Sequence, residues 1–171
     1  AHAAAYVTNA FRIAWFKVHI PKAYYCAYFS IRADAFDSDI MCHGKEKVKN
    51  EMKRIELLGQ NATQKDGAMY ETLEIVNEMY ERGISFLPID LYDSSSTKFK
   101  MEEEGIRPPL NSIPGLGTVA AQGIEDARKD GEFMSISDLK IRAKIGKSAV
   151  EMLQNAGCLK GMSESNQMSL F

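Results

Sequence analysis

The chain has 171 residues, 45% of them hydrophobic and 26% charged, enough apolar material for one medium core or two small ones. Its net charge of −2 gives no support to a dedicated nucleic-acid-binding domain, which is usually basic, so contact with phosphates has to come from a local patch or from backbone donors. Cys26, Cys42 and Cys158 are far apart and odd in number, which argues against a disulfide framework or a Cys-x-x-Cys zinc site and for reduced thiols in a cytoplasmic protein.

The sequence opens inside an apolar stretch, with no helix cap, no initial methionine and no charged leader before it, and so reads as part of a longer protein. Arg12, Lys17 and Pro21 rule out a membrane span there. Residues 1–20 are expected as a helix stopped by Pro21. Tyr6, Val7, Phe11, Ile13, Trp15, Phe16 and Val18 leave little polar face, so burial on most sides is expected. On a helical wheel Thr8, Arg12 and His19 fall together, flanked by Asn9. This single polar stripe faces either solvent or a substrate or nucleic acid.

Residues 22–32 read as a second apolar helix, rich in aromatics (Tyr24, Tyr25, Tyr28, Phe29). Residues 33–44 read as a connection with three solvated aspartates, Asp34, Asp37 and Asp39. Residues 45–58 form an amphipathic helix with Val48, Met52 and Ile55 on one face. Lys45, Lys47, Lys49, Lys53 and Arg54 decorate the rest, as a solvated surface or as a holder of phosphates. A further helix is expected over 67–82, seamed by Met69, Leu73, Val76 and Tyr80, with Gly83 as C-cap. Residues 84–89 and 98–101 are two short strand candidates, expected to pair around Asp93-Ser94-Ser95-Ser96. Pro108-Pro109 marks a subdomain boundary.

Beyond it lies Ile113-Pro114-Gly115-Leu116-Gly117-Thr118-Val119-Ala120. This is the pattern of a helix-hairpin-helix: an apolar residue, two glycines around a second apolar residue, and a following alanine. Glycine permits a tight turn with positive φ. Successive N–H groups at the start of the following helix then form a concave, partly positive nest that fits a phosphate. Such a contact reads no bases. A second, degenerate copy follows a helix over 136–143. Here Ile145-Gly146-Lys147-Ser148 is the hairpin, and the helix over 149–155 stops at Gly157. This copy has one glycine but adds Lys144 and Lys147. The expected DNA contacts are therefore Gly115, Leu116, Gly117, Thr118, Lys144, Gly146, Lys147 and Ser148. Basic and acidic residues nearly balance between Ile113 and Lys160, which implies weak intrinsic affinity that matters only when the domain is tethered.

After Gly161 the chain is polar and small-residued, a composition that cannot bury itself, yet it ends in Leu170-Phe171. A terminal Leu-Phe is costly to expose unless a partner takes it. The pentapeptide Gln167, Met168, Ser169, Leu170, Phe171 resembles the peptide with which bacterial proteins bind the DNA sliding clamp. In that mode Leu170 and Phe171 fill an apolar pocket, Met168 packs along the groove and Gln167 hydrogen-bonds at the rim.

Taken together, several stretches resemble the C-terminal part of the PolC family, the replicative DNA polymerase III alpha subunit of low-GC Gram-positive bacteria. They are Ala1-His2-Ala3-Ala4-Ala5-Tyr6, Phe11-Arg12-Ile13-Ala14, Phe16-Lys17-Val18-His19 with Pro21, Tyr28-Phe29, Ile31-Arg32-Ala33, Arg82-Gly83 through Asp90-Leu91-Tyr92, and Pro108-Pro109 to Gly117. The resemblance implies a mainly α chain in four parts. Residues 1–83 would be the helical end of the polymerase fingers, and 84–109 a connection with a short two-stranded β element. Residues 110–160 would be a tandem helix-hairpin-helix domain on duplex DNA, and 161–171 a flexible tail for the sliding clamp. Within such fingers the single polar stripe of residues 1–20 is expected to turn Arg12 and His19 to the nucleotide or template side. The resemblance also implies that the catalytic aspartates and their Mg ions, with the incoming dNTP, belong to a palm domain outside this sequence, so the fragment holds no cofactor and is inactive alone. The competing readings are a stand-alone repair or recombination accessory with paired hairpins and its own clamp peptide, and a helical scaffold that binds no DNA.

Overall fold

The computed structural model describes residues 2–32 and 35–165. Helices α1 (His2–His19) and α2 (Pro21–Arg32) pack side by side. Pro21 ends the first by opening the second, at the position where its missing N–H costs nothing. The connection expected after α2 contains a short helix, α3 (Ser38–Met41), and Asp37 is not simply solvated. Its carboxylate caps α3 by accepting from the N–H groups of Asp39 and Ile40. Asp34 lies outside the described residues.

Helices α4 (Lys45–Leu58) and α5 (Gln64–Glu81) form the next antiparallel pair. α5 starts three residues before the expected Gly67 because Thr63 and Asp66 make a reciprocal capping box. Gly83 follows it with φ +75°, the left-handed C-terminal turn read from the sequence. The cations of α4 are largely spoken for. Lys45 and Lys49 pair with Glu81, and Arg54 pairs with Glu51 and Asp66.

The N-terminal core gathers Tyr25 and Phe29 from α2, Val48 and Ile55 from α4, and Leu73, Val76 and Met79 from α5, with Phe86, Phe99 and Ile106. At its edge Glu78 accepts from Lys17 Nζ at 2.7 Å and from the Tyr25 hydroxyl at 2.8 Å, with Arg82 at 3.1 Å. Burial opposes the charge on Glu78, but these donors outweigh it and hold the carboxyl below its usual range.

The strands pair differently from the sequence expectation. β1 (Lys100–Met101) is antiparallel to β2 (Ile106–Arg107), with Lys100 opposite Arg107 and Met101 opposite Ile106. Residues 84–89 run alongside β2 through a single parallel bridge, Phe86 to Ile106. The expected hairpin around Asp93–Ser96 is absent because Asp90 closes that segment on itself, accepting from the N–H groups of Tyr92 and Asp93. Ile106 instead donates to Ser85 and accepts from Leu87. The segment expected as a connector thus feeds both cores: Phe86, Phe99 and Ile106 the first, Leu91 the second.

The C-terminal core is built from a 3-10 turn (Leu110–Ser112) and helices α6 (Thr118–Ala127), α7 (Ile136–Arg142) and α8 (Lys147–Asn155). Leu110, Ile113, Leu116, Ile124, Leu139, Ile145 and Leu153 fill it.

Two expectations are corrected here. α1 was expected to be buried on most sides, yet it has no buried residue; Tyr6, Phe11, Trp15 and Val18 are all more than half exposed. The described residues supply cover from α2 and the edge of α5 alone. The tail was expected to be free from residue 161. Instead Met162 packs on the C-terminal core, and the carbonyls of Ser163 and Glu164 accept from the N–H groups of Ile136 and Ser137. These two carbonyls satisfy donors at the start of α7 that would otherwise be orphaned. The clamp peptide itself, 167–171, lies outside the described residues. Among the described residues no helix is long and apolar enough to cross a membrane.

Candidate nucleic-acid interface

The two hairpins stand at corresponding positions. In each, a residue with positive φ is followed by a buried apolar anchor and then by a glycine N-cap. In the first these are Gly115 (φ +83°), Leu116 and Gly117; in the second, Lys144 (φ +54°), Ile145 and Gly146. The sequence reading gave positive φ to both glycines of the first hairpin. Gly117 departs from this: its φ is −67°, and that of Gly146 is −82°, conformations open to any residue. A β-carbon on either would meet nothing within 4 Å. What glycine provides at these two positions is empty space in front of a helix N-terminus, not a special turn.

The left-handed position of the second hairpin is filled by Lys144, a residue that adopts αL at a cost of about 1–2 kcal/mol. Its ammonium sits on the exposed turn. Lys147 and Ser148, read from the sequence as hairpin residues, fall in the first turn of α8. Both are exposed, with Lys147 Nζ 3.6 Å from Glu151, an exposed pair of little energetic weight.

Neither α6 nor α8 has a side-chain cap, so their leading N–H groups remain available to an acceptor from outside. α7 is different. Ser135 caps it by accepting from Asp138, and Ser163 and Glu164 take two more donors. Of the three helix starts in this core, the two that follow hairpins are open and the third is closed. Thr118 and Val119 are exposed at the first open end.

Two residues that hold the hairpins together were not singled out from the sequence. A β-carbon on Gly123 would stand 2.5 Å from the backbone oxygen of Ala143, so α6 and the end of α7 meet at a distance only glycine allows. Ala120, the residue expected to permit close helix contact, is only partly buried. Arg142 reaches back from α7 to the carbonyls of Ala127 (2.6 Å), Gly131 (2.9 Å) and Glu132 (3.0 Å), and lies over the Phe133 ring. Neither residue carries a local pattern; their partners are set by the tertiary approach. Glu125 of α6 accepts from the Ser96 N–H at 3.0 Å, while the carbonyls of Ser95 and Ser96 accept from Leu110 and Asn111. Hydrogen bonds from Ser96, opposed by burial, hold the Glu125 carboxyl below its usual range. The buried serine turn thereby ties the entry of the first hairpin to α6.

Arg12 and His19 share a face of α1 but do not touch. Trp15 stands between them, its ring tilted at 34° to that of His19 with 4.6 Å between centroids. Among the described residues no cluster of three or more His, Cys, Asp or Glu is placed to hold a metal ion.

The family profile described as "Helix-hairpin-helix motif" matches residues 83–169. The chain is 52% identical over 99% of its length to a DNA polymerase III PolC-type of Clostridium perfringens (strain 13 / Type A). It is 50% identical over its full length to that of Caldanaerobacter subterraneus subsp. tengcongensis, and 48% to that of Bacillus subtilis (strain 168). In each case it spans 12% of the relative's length. With two glycine-capped, open helix starts behind two hairpins, and a profile covering both, the chain belongs to the helix-hairpin-helix family and resembles, end to end, one segment of the PolC-type DNA polymerase III.

Proposed function

We propose that this chain is the part of a replicative DNA polymerase that grips duplex DNA by its phosphates and fastens the enzyme to a sliding clamp. The observation that carries the DNA half is the pair of uncapped helix N-termini, each fronted by a glycine with open space before it. Two such nests bind two phosphates with no base readout, the requirement of an enzyme that must hold every sequence equally. The clamp half rests on Gln167, Met168, Ser169, Leu170 and Phe171. Burying two large apolar side chains contributes roughly 1.5–3 kcal/mol each, and ordering the peptide takes part of that back. The isolated peptide should therefore bind at about micromolar affinity, which suits an enzyme held at several points. The likeness to PolC-type polymerases along the whole chain favours this over a stand-alone repair accessory. Nucleotidyl transfer, its Mg ions and the incoming dNTP belong on this reading to the remainder of the longer polymerase.

The test is a titration of the chain against labelled duplexes of two unrelated sequences. Gly117→Val or Gly146→Val leaves φ/ψ and packing undisturbed but fills the nest. Each should weaken both duplexes alike, by about five- to tenfold, and lower the salt slope by about one. Wild-type affinity in both folded variants would remove the hairpins from the DNA interface. Deleting Leu170 and Phe171 should abolish clamp binding and leave duplex binding intact; a truncated chain that still holds the clamp would sink the second half.

A further inference from the structure

The point at which the tail leaves the folded domain is fixed. Leu159 is buried and Met162 packs on the C-terminal core. The Ser163 carbonyl accepts from Ile136 N–H at 2.9 Å. The Glu164 carbonyl accepts from Ser137 N–H at 3.1 Å and from the Ser137 hydroxyl at 2.8 Å. Only Ser165 and Asn166 then separate Glu164 from Gln167. A fully extended chain covers at most about 3.6 Å per residue, so Gln167 stays within roughly 11 Å of Glu164 while that root is docked.

Any folded partner that takes Leu170 and Phe171 into a pocket is far larger than this leash, since even a 100-residue domain has a radius of gyration of about 13 Å. With Leu170 at most about 22 Å from Glu164, its body lies close to the surface beside the root. That surface is not polar. Met134 is 72% exposed and Ile141 77% exposed. Met134 directly precedes the N-cap Ser135, and its carbonyl accepts from the Ser163 hydroxyl at 3.4 Å; Ile141 lies in the last turn of α7, with Lys140 exposed next to it. None of the described residues covers these two side chains, whereas the inner face of α7 buries Ile136 and Leu139 in the core.

We infer that the exposed surface at α7, formed by Met134 just before its N-cap and Ile141 near its end, is a second contact for the sliding clamp, held close to it by the short leash from Glu164. The inference rests on the clamp reading of the tail. It adds that the tail and α7 bind as one surface, so that the clamp is held at a set position relative to the two DNA hairpins rather than on a free tether.

The experiment compares three ligands on an immobilised bacterial sliding clamp: the whole chain, a synthetic peptide of residues 163–171, and the chain carrying Met134→Asp with Ile141→Asp. Both side chains are exposed, so the substitutions leave the core intact. The chain should bind about tenfold or more tighter than the peptide, and the double variant should fall to the peptide's affinity while holding duplex DNA as the wild type does. A twelve-residue Gly/Ser insertion after Ser165, which leaves the folded domain untouched, should lose most of the same advantage. Equal binding of chain and peptide, or a double variant as tight as the wild type, overturns the α7 contact and leaves the tail reading standing. A double variant that loses duplex affinity instead assigns the face to DNA and also overturns it. If neither chain nor peptide binds the clamp, the tail reading fails and the inference with it.

Discussion

Gly123→Ala tests whether one close approach sets the spacing of the two hairpins. The added β-carbon would lie 2.5 Å from the Ala143 carbonyl oxygen, where 3.4 Å begins ordinary contact, so α6 and α7 have to part by roughly 0.9 Å. The opposing atom is backbone and cannot rotate away, which puts the overpacking cost at the upper end of about 1–3 kcal/mol. Replacing a helical glycine by alanine returns about 1 kcal/mol. The net is a destabilisation of about 1–2 kcal/mol, a fall in Tm of roughly 2–8 °C for a chain of this size. Gly67→Ala is the internal control. It is the same change inside α5 with nothing within 4 Å of the new atom, so it should stabilise by up to about 1 kcal/mol. Thermal unfolding followed by far-UV circular dichroism separates the two. Because Gly117 opens α6 and Gly146 follows Ala143 closely, the Gly123 variant should also lose duplex affinity. A Gly123→Ala chain that melts as high as the wild type and binds duplex equally well would refute the reasoning.

Lys144→Gly relieves a left-handed lysine (φ +54°) and should stabilise the chain by up to about 1 kcal/mol while weakening duplex binding through the lost cation; a denaturant midpoint that falls would contradict the strain. Glu78 has a folded pKa below its unfolded value. Its contribution is therefore fully present above about pH 4.3 and is lost as pH falls toward the lowered native value. Glu78→Gln should be less stable than the wild type at neutral pH, and the gap should narrow on acidification through that window. Unfolding curves that stay parallel from neutral to acid pH would remove the Lys17–Glu78–Tyr25 cluster from the stability of the fold.

The helices and the first hairpin were legible because their signals are local. The apolar spacing in α4 and α5, Pro21 between α1 and α2, and the Ile113 to Ala120 pattern each specify a conformation within a few residues. The strand pairing was not, because Ile106 chooses its partners from Ser85 to Leu87 and from Met101, and nothing in 84–89 or 98–101 encodes that choice. Gly117 was read as a turn glycine because sequence shows that a side chain is missing, not which space its absence leaves open. Gly123 and Arg142 went unnoticed for the same reason in reverse: each looks ordinary along the helix, and its partners are carbonyls brought near by packing. The burial of α1 was misjudged because a helical wheel reports which face seeks cover, not whether the described chain contains the cover. The root of the tail was misplaced because Ser163 and Glu164 dock through their carbonyls, which every residue has.

Trp15 is the sole tryptophan of the chain, and it sits half exposed on α1 against His19. Its emission is thus an optical probe of one helix. Unfolding of the hairpin domain would pass almost unseen in it, whereas any surface that covers α1 would shift it to the blue. If the proposed function holds, mixing the chain with the preceding part of a PolC-type polymerase should therefore give a spectral signal, with no label added and no DNA present.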